Sequence, residues 1–190
     1  MPTLYMIAGC NGAGKTTASF TILPEILRCR EFVNADNIAA GLSPFNPENV
    51  ALEAGRIMLK RIKELLDSRV DFALETTLST RSYVSTIKEA RSKGYSITLI
   101  YFWLASPEMA IERVAMRVRK GGHSIPNETI IRRYQRGLDN LFRLYMPICD
   151  NWLIVSNVSA SPSTIAIGGR DNEKTVTNED IWQQISQSQR

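Results

Sequence analysis

The chain has 190 residues, 44% of them hydrophobic and 22% charged, with a formal net charge of +4. That length fits one domain spanning residues 1–190 with a core of its own, and the composition excludes a disordered, collagen-like or low-complexity chain. The positive balance suits anionic ligands, while the three cysteines are odd in number and lack metal-ligand spacing, so neither a disulfide framework nor a zinc site is suggested.

Residues 1–3 lead directly into an apolar run at 4–8, suited to a buried parallel strand, without a basic-then-apolar leader. No apolar run approaches membrane-spanning length, so the expectation is a cytoplasmic protein. The stretch Gly9-Cys10-Asn11-Gly12-Ala13-Gly14-Lys15-Thr16-Thr17 then meets the phosphate-loop pattern G-x-x-x-x-G-K-[ST] at each fixed position. Gly9, Gly12 and Gly14 are expected at positive φ, turning backbone N–H groups inward around phosphate oxygens. Lys15 would reach the outer phosphates of ATP, Thr16 would offer its hydroxyl to Mg²⁺, and Asn11, Ala13 and Thr17 complete the loop. Cys10 is either a small filler or a site of alkylation.

A helix over 16–28 follows, with Phe20, Leu23 and Leu27 at helical spacing and Pro24 placed to kink or end it. Residues 31–35 read as a strand ending at Asp36, and an acid there lies near the phosphates if this strand adjoins the first. Residues 39–50 read as a connection. Pro47 opens a long amphipathic helix with Val50, Ala54, Ile57, Met58, Ile62, Leu65 and Leu66 facing the core.

Residues 72–75 form the next strand, ending in a second acid, Glu75, and followed by Thr76, Thr77 and a helix that Gly94 stops. Residues 96–104 are the most continuously apolar segment and should form a central strand. Ser106-Pro107 starts a helix carrying Ile111, Val114 and Val118 inward and Arg113 and Arg117 on another face. After the loop at 120–124, a helix from Pro126 to Tyr145 buries Ile130, Tyr134, Leu138, Leu141 and Tyr145 and displays Arg132, Arg133 and Arg136. Strands at 152–155 and 165–167 and a short helix with Trp182 and Ile185 complete the chain. This alternation predicts a three-layer α/β fold of the P-loop NTPase type, with a mainly parallel sheet, helices on both faces and an arginine-bearing lid.

Phosphoryl transfer needs a triphosphate cradle, a metal, a base for the acceptor hydroxyl and cations over the migrating group. Asp36 fits the base, or alternatively a helix N-cap. Arg113, Arg117 and Arg119 fit a lid, or alternatively a solvated helix face.

The ordered set of Gly9 to Thr17, Asn34-Ala35-Asp36, Leu74-Glu75-Thr76-Thr77, Ile111-Glu112-Arg113 with Arg117, the Gly121 to Pro126 loop, and Arg133-Tyr134 with Arg136-Gly137-Leu138 resembles the zeta toxin family of P-loop kinases. The resemblance runs from the phosphate loop to about Asn157. It implies transfer of a phosphoryl group from ATP to a hydroxyl of a small molecule, a UDP-N-acetyl sugar or similar nucleotide sugar. It also implies that Asp36 takes the hydroxyl proton and contacts the acceptor, that Glu75, Thr76 and Thr77 bind the acceptor, and that Arg113 stabilises phosphate together with Arg117 or Arg119. The loop containing His123 belongs to the small zeta-like group, so His123 either touches substrate or caps a turn. An antitoxin is the partner such a family suggests, although no antitoxin-binding region is recognisable. Two other readings compete: a kinase of nucleic-acid ends, disfavoured because Tyr134, Phe142 and Tyr145 sit at core positions, and an ATP-hydrolysing switch.

Overall fold

The computed structural model describes residues 1–159 and 161–187. Five parallel strands, β1 (Thr3–Gly9), β2 (Glu31–Val33), β3 (Phe72–Thr76), β4 (Ser96–Trp103) and β5 (Asn151–Ser156), are extended by antiparallel β6 (Ser163–Gly169) and β7 (Thr175–Val176) into one sheet. The order is β2-β3-β1-β4-β5-β6-β7. β1 and β4 lie at its centre, and their side chains from Met6 to Ala8 and from Leu99 to Trp103 are buried, as their unbroken apolar runs require.

Helices α1 (Lys15–Thr21), α2 (Ala35–Leu42), α3 (Ala51–Ser68), α4 (Tyr83–Ser92), α5 (Pro107–Arg119), α6 (Asn127–Asn140) and α7 (Glu179–Gln187) connect and cover the sheet. The chain runs outward from β1 to β2, returns to β3, and then passes β1 to reach β4. In such sheets the carboxyl ends of the strands flanking the reversal form a crevice.

Several elements depart from the sequence expectation. β2 does not adjoin β1, because β3 is inserted between them; the acid on the neighbouring strand is Glu75, paired in register with Ile7. The segment read as a connection from residue 39 is largely helix, since α2 begins directly after β2. Asn34 caps it by accepting hydrogen bonds from Asp36 N (2.8 Å) and Asn37 N (3.1 Å). Asp36 therefore sits in the first turn and is not the cap.

The first helix is regular only to Thr21 and then widens through Ile22–Ile26, where Pro24 has no N–H to give. Leu23 is buried there, whereas Phe20 is exposed and meets Phe32 edge-on at 6.3 Å. Ile57 and Val118, expected inward, are exposed at the margins of their apolar stripes. α6 ends at Asn140 and the chain continues through a wider turn, Leu141–Tyr145, with Tyr134 and Tyr145 buried as expected. Among the described residues no helix is long and apolar enough to cross a membrane.

Candidate active site

The loop between β1 and α1 curls as glycine permits, with φ of 141° at Gly9, 77° at Gly12 and 80° at Gly14. At Gly14 a close approach adds to the backbone demand. A Cβ would lie 2.5 Å from Asn157 Nδ2, which donates to Ala13 O at 2.8 Å and holds the loop from the end of β5.

Lys15 is buried, its Nζ donating to Cys10 O at 2.9 Å and lying 3.6 Å from Glu75 Oε1. Burial pushes the Cys10 thiol up to about 11, so it stays protonated near neutral pH and behaves as a filler. Thr17 points to solvent.

Beside the loop, the β1–β3 register delivers Glu75 to Thr16. Glu75 Oε2 accepts from Thr16 Oγ1 at 2.8 Å and from Asn34 Nδ2 at 2.8 Å, and Asn34 Nδ2 also lies 3.4 Å from Thr16 Oγ1. One asparagine thus caps α2 with its oxygen and orients the buried acid with its nitrogen. Thr16 and Glu75 bring two hard oxygen donors together, the donor type a Mg²⁺ ion would take. Among the described residues no group of three or more His, Cys, Asp or Glu could hold a metal by protein ligands alone. The donor set therefore fits an ion shared with phosphate oxygens, which needs only one or two protein ligands.

Asn11, Lys15, Asp36, Glu75, Thr76 and Thr77 line one cleft of about 600 Å³, together with Asn34 and Arg133. Thr76 Oγ1 accepts from Leu78 N at 3.0 Å, supporting Leu78 at φ 55°, and Thr77 Oγ1 lies 2.9 Å from Ser79 Oγ. Arg113, Arg117, Arg119 and His123 are not among the residues that line this cleft. Asp36 Oδ2 is 3.7 Å from His123 Nε2, and Arg117 Nη2 donates to His123 O at 3.1 Å and lies 3.4 Å from His123 Nε2. Arg113 Nη2 donates to Val158 O at 3.0 Å, and Arg119 is exposed at the end of α5. Arg133 Nη1 reaches Asn11 Oδ1 at 3.3 Å.

A model of the family described as "Zeta toxin" matches residues 1–159. The chain belongs to the zeta toxin family. Solved structures share its fold. The AvrRxo1-ORF1:-ORF2 complex solved with ATP has a TM-score of 0.77 at 17% identity, covering 100% of this chain and 65% of that one. A structure from the PezAT chromosomal toxin-antitoxin system of Streptococcus pneumoniae has a TM-score of 0.69 at 18% identity, covering 97% and 78%. An uncharacterized protein of Haemophilus influenzae is 29% identical over 126 residues, 66% of this chain and 88% of its own. The chain thus spans less than two thirds of the chain it matches in the AvrRxo1-ORF1:-ORF2 complex.

Two residues in the zeta toxin cleft, Asn34 and Arg133, were not assigned there by sequence. Both belong to the motifs that carry the resemblance, and the signal that could have found Asn34 is its place as a cap-forming residue directly before the first turn of α2.

Proposed function

We propose that this protein transfers the γ-phosphoryl group of ATP to a hydroxyl group of a small molecule, a UDP-N-acetyl sugar or similar nucleotide sugar. The observation that carries this reading is that the phosphate-loop lysine and the Asp36 carboxylate line the same cleft. ATP rests on residues 9–17, with Lys15 leaving Cys10 O and Glu75 to meet its outer phosphates. Thr16 and Glu75 would hold a Mg²⁺ ion, which would supply positive charge against the phosphates.

The acceptor oxygen attacks the γ-phosphorus as its proton passes to Asp36. The bond to the β,γ-bridging oxygen breaks, and its electron pair leaves with ADP. Arg113 and Arg117 add positive charge by exchanging Val158 O and His123 O for phosphate oxygens. Thr76, Thr77 and His123 contact the acceptor, for which the cleft also offers Ser79, Thr80 and Arg56.

PezAT is a toxin-antitoxin system, and a protein antitoxin is the partner we expect for this chain by analogy. Incubation with ATP, Mg²⁺ and a nucleotide-sugar mixture, followed by mass spectrometry, tests the transfer. A nucleotide sugar heavier by one phosphoryl group supports it, and release of inorganic phosphate with no modified sugar contradicts it.

A further inference from the structure

We propose that Arg133 is a further catalytic residue: the guanidinium that meets the γ-phosphoryl group of bound ATP, resting on the kinase reading above. α6 is fastened to the carboxyl ends of β3 and β4. Tyr134 Oη donates to Leu104 O at 2.8 Å and Asn140 Nδ2 to Leu78 O at 2.6 Å. Gly137 packs so closely that a Cβ would lie 2.5 Å from Thr77 O. Arg133 precedes Gly137 by one helical turn, so a rigid element delivers it to the same side.

Its guanidinium enters the cleft that Lys15, Asp36 and Glu75 line and touches the phosphate loop itself, through the buried amide of Asn11. Its charge is not neutralised there. Among the described residues Arg133 forms no ion pair, and the Asn11 amide engages one of its five N–H donors.

Of the other cations at or beside the cleft, Arg56 lines it from an exposed position on α3, and the remaining three are engaged differently. Lys15 pairs with Glu75, Arg117 donates to His123 O, and Arg113 donates to Val158 O on the flank where its Cβ packs against Gly12. A half-buried guanidinium with spare, coplanar donors beside a triphosphate cradle matches two phosphoryl oxygens at once. As the acceptor oxygen bonds to the γ-phosphorus, its proton moves to Asp36 and the bridging-oxygen bond breaks with its electron pair leaving on ADP. Negative charge shifts onto oxygens that Arg133 faces, and the fixed cation stabilises it.

Isothermal titration of ATP and of ADP into the full chain, Arg133→Gln, Arg133→Lys and Lys15→Ala tests the assignment. Glutamine removes the charge and ends at the ε position, two atoms short of the Nη1 that reaches Asn11, so a purely structural role of that tie shows as a lowered melting temperature or an equal loss of both nucleotides. The expected result is a roughly 10- to 100-fold loss of ATP affinity in Arg133→Gln, as for a lost charge-assisted hydrogen bond, with ADP affinity and melting temperature nearly unchanged. Arg133→Lys recovers part of the loss. An Arg133→Gln variant that keeps the parental preference for ATP over ADP, or that loses both nucleotides equally, overturns this assignment alone. ATP binding that survives Lys15→Ala unaltered overturns the kinase reading with it.

Discussion

Replacing Glu75 with Gln removes one charge from a pair whose side chains are 7% and 9% exposed while keeping the side-chain volume and one acceptor oxygen. The ammonium–carboxylate separation is 3.6 Å, which at an effective dielectric near 20 corresponds to roughly 4–5 kcal/mol of gross attraction. Desolvation offsets much of this in the intact pair, but the substitution leaves the buried Lys15 ammonium without its counter-charge, so the net loss is roughly 3–5 kcal/mol. For a chain of this size that lowers Tm by about 2–4 °C per kcal/mol.

Nucleotide binding should change in the opposite direction. Lys15 must abandon Glu75 and Cys10 O to reach a phosphate, and the variant removes both that competition and the repulsion between Glu75 and the triphosphate. With Mg²⁺ chelated, ATP affinity should rise by roughly tenfold, equivalent to about 1.4 kcal/mol. With Mg²⁺ present the gain should shrink and turnover should fall, because the acid beside Thr16 is gone. Thermal melts and calorimetric titrations with EDTA and with Mg²⁺ measure each part. A metal-free ATP affinity equal to that of the parent protein would refute the idea that Glu75 restrains Lys15.

Alkaline pH should destabilise the protein through its buried thiols. Burial raises Cys10 and Cys29 to about 11 and Cys149 to about 12, against an ordinary value of 9.0. The native state therefore keeps protons that the unfolded chain loses; stability is unaffected below about pH 9 and falls through about pH 11 by up to about 1.4 kcal/mol per pH unit for each thiol. Urea unfolding across this range checks the slope, which Cys10→Ala should reduce; an unchanged slope contradicts the burial argument. Gly137→Ala places a Cβ 2.5 Å from Thr77 O, so α6 must shift, with an expected loss of roughly 1–3 kcal/mol and weaker ATP binding through displaced Arg133. A melting temperature equal to the parent's would show that the contact relaxes freely.

The parts of the site that are contiguous in sequence were legible before any coordinates. The phosphate loop depends on glycines, a lysine and a threonine within nine residues, and each acts on its immediate backbone. The strands were legible because the apolar runs at β1 and β4 are long and unbroken. What sequence did not yield is what strand order and helix packing decide. Glu75 reaches Thr16 only because β3 is inserted between β1 and β2, and no local pattern encodes that insertion. Arg133 reaches Asn11 across 122 positions of sequence because α6 is fastened over β3 and β4. α2 is hidden in the sequence because Asn37 and Gly41 are poor helix formers, and its Asn34 cap outweighs them.

The most direct test of Asp36 as the base compares the parent protein with Asp36→Asn, measuring ATP binding and phosphorylated nucleotide sugar in parallel. Nearly unchanged ATP affinity with no phosphorylated sugar is the outcome expected if the Asp36 carboxylate takes the acceptor proton. Turnover by the asparagine variant at the parental rate would contradict that role and leave the cleft with a nucleotide but no base.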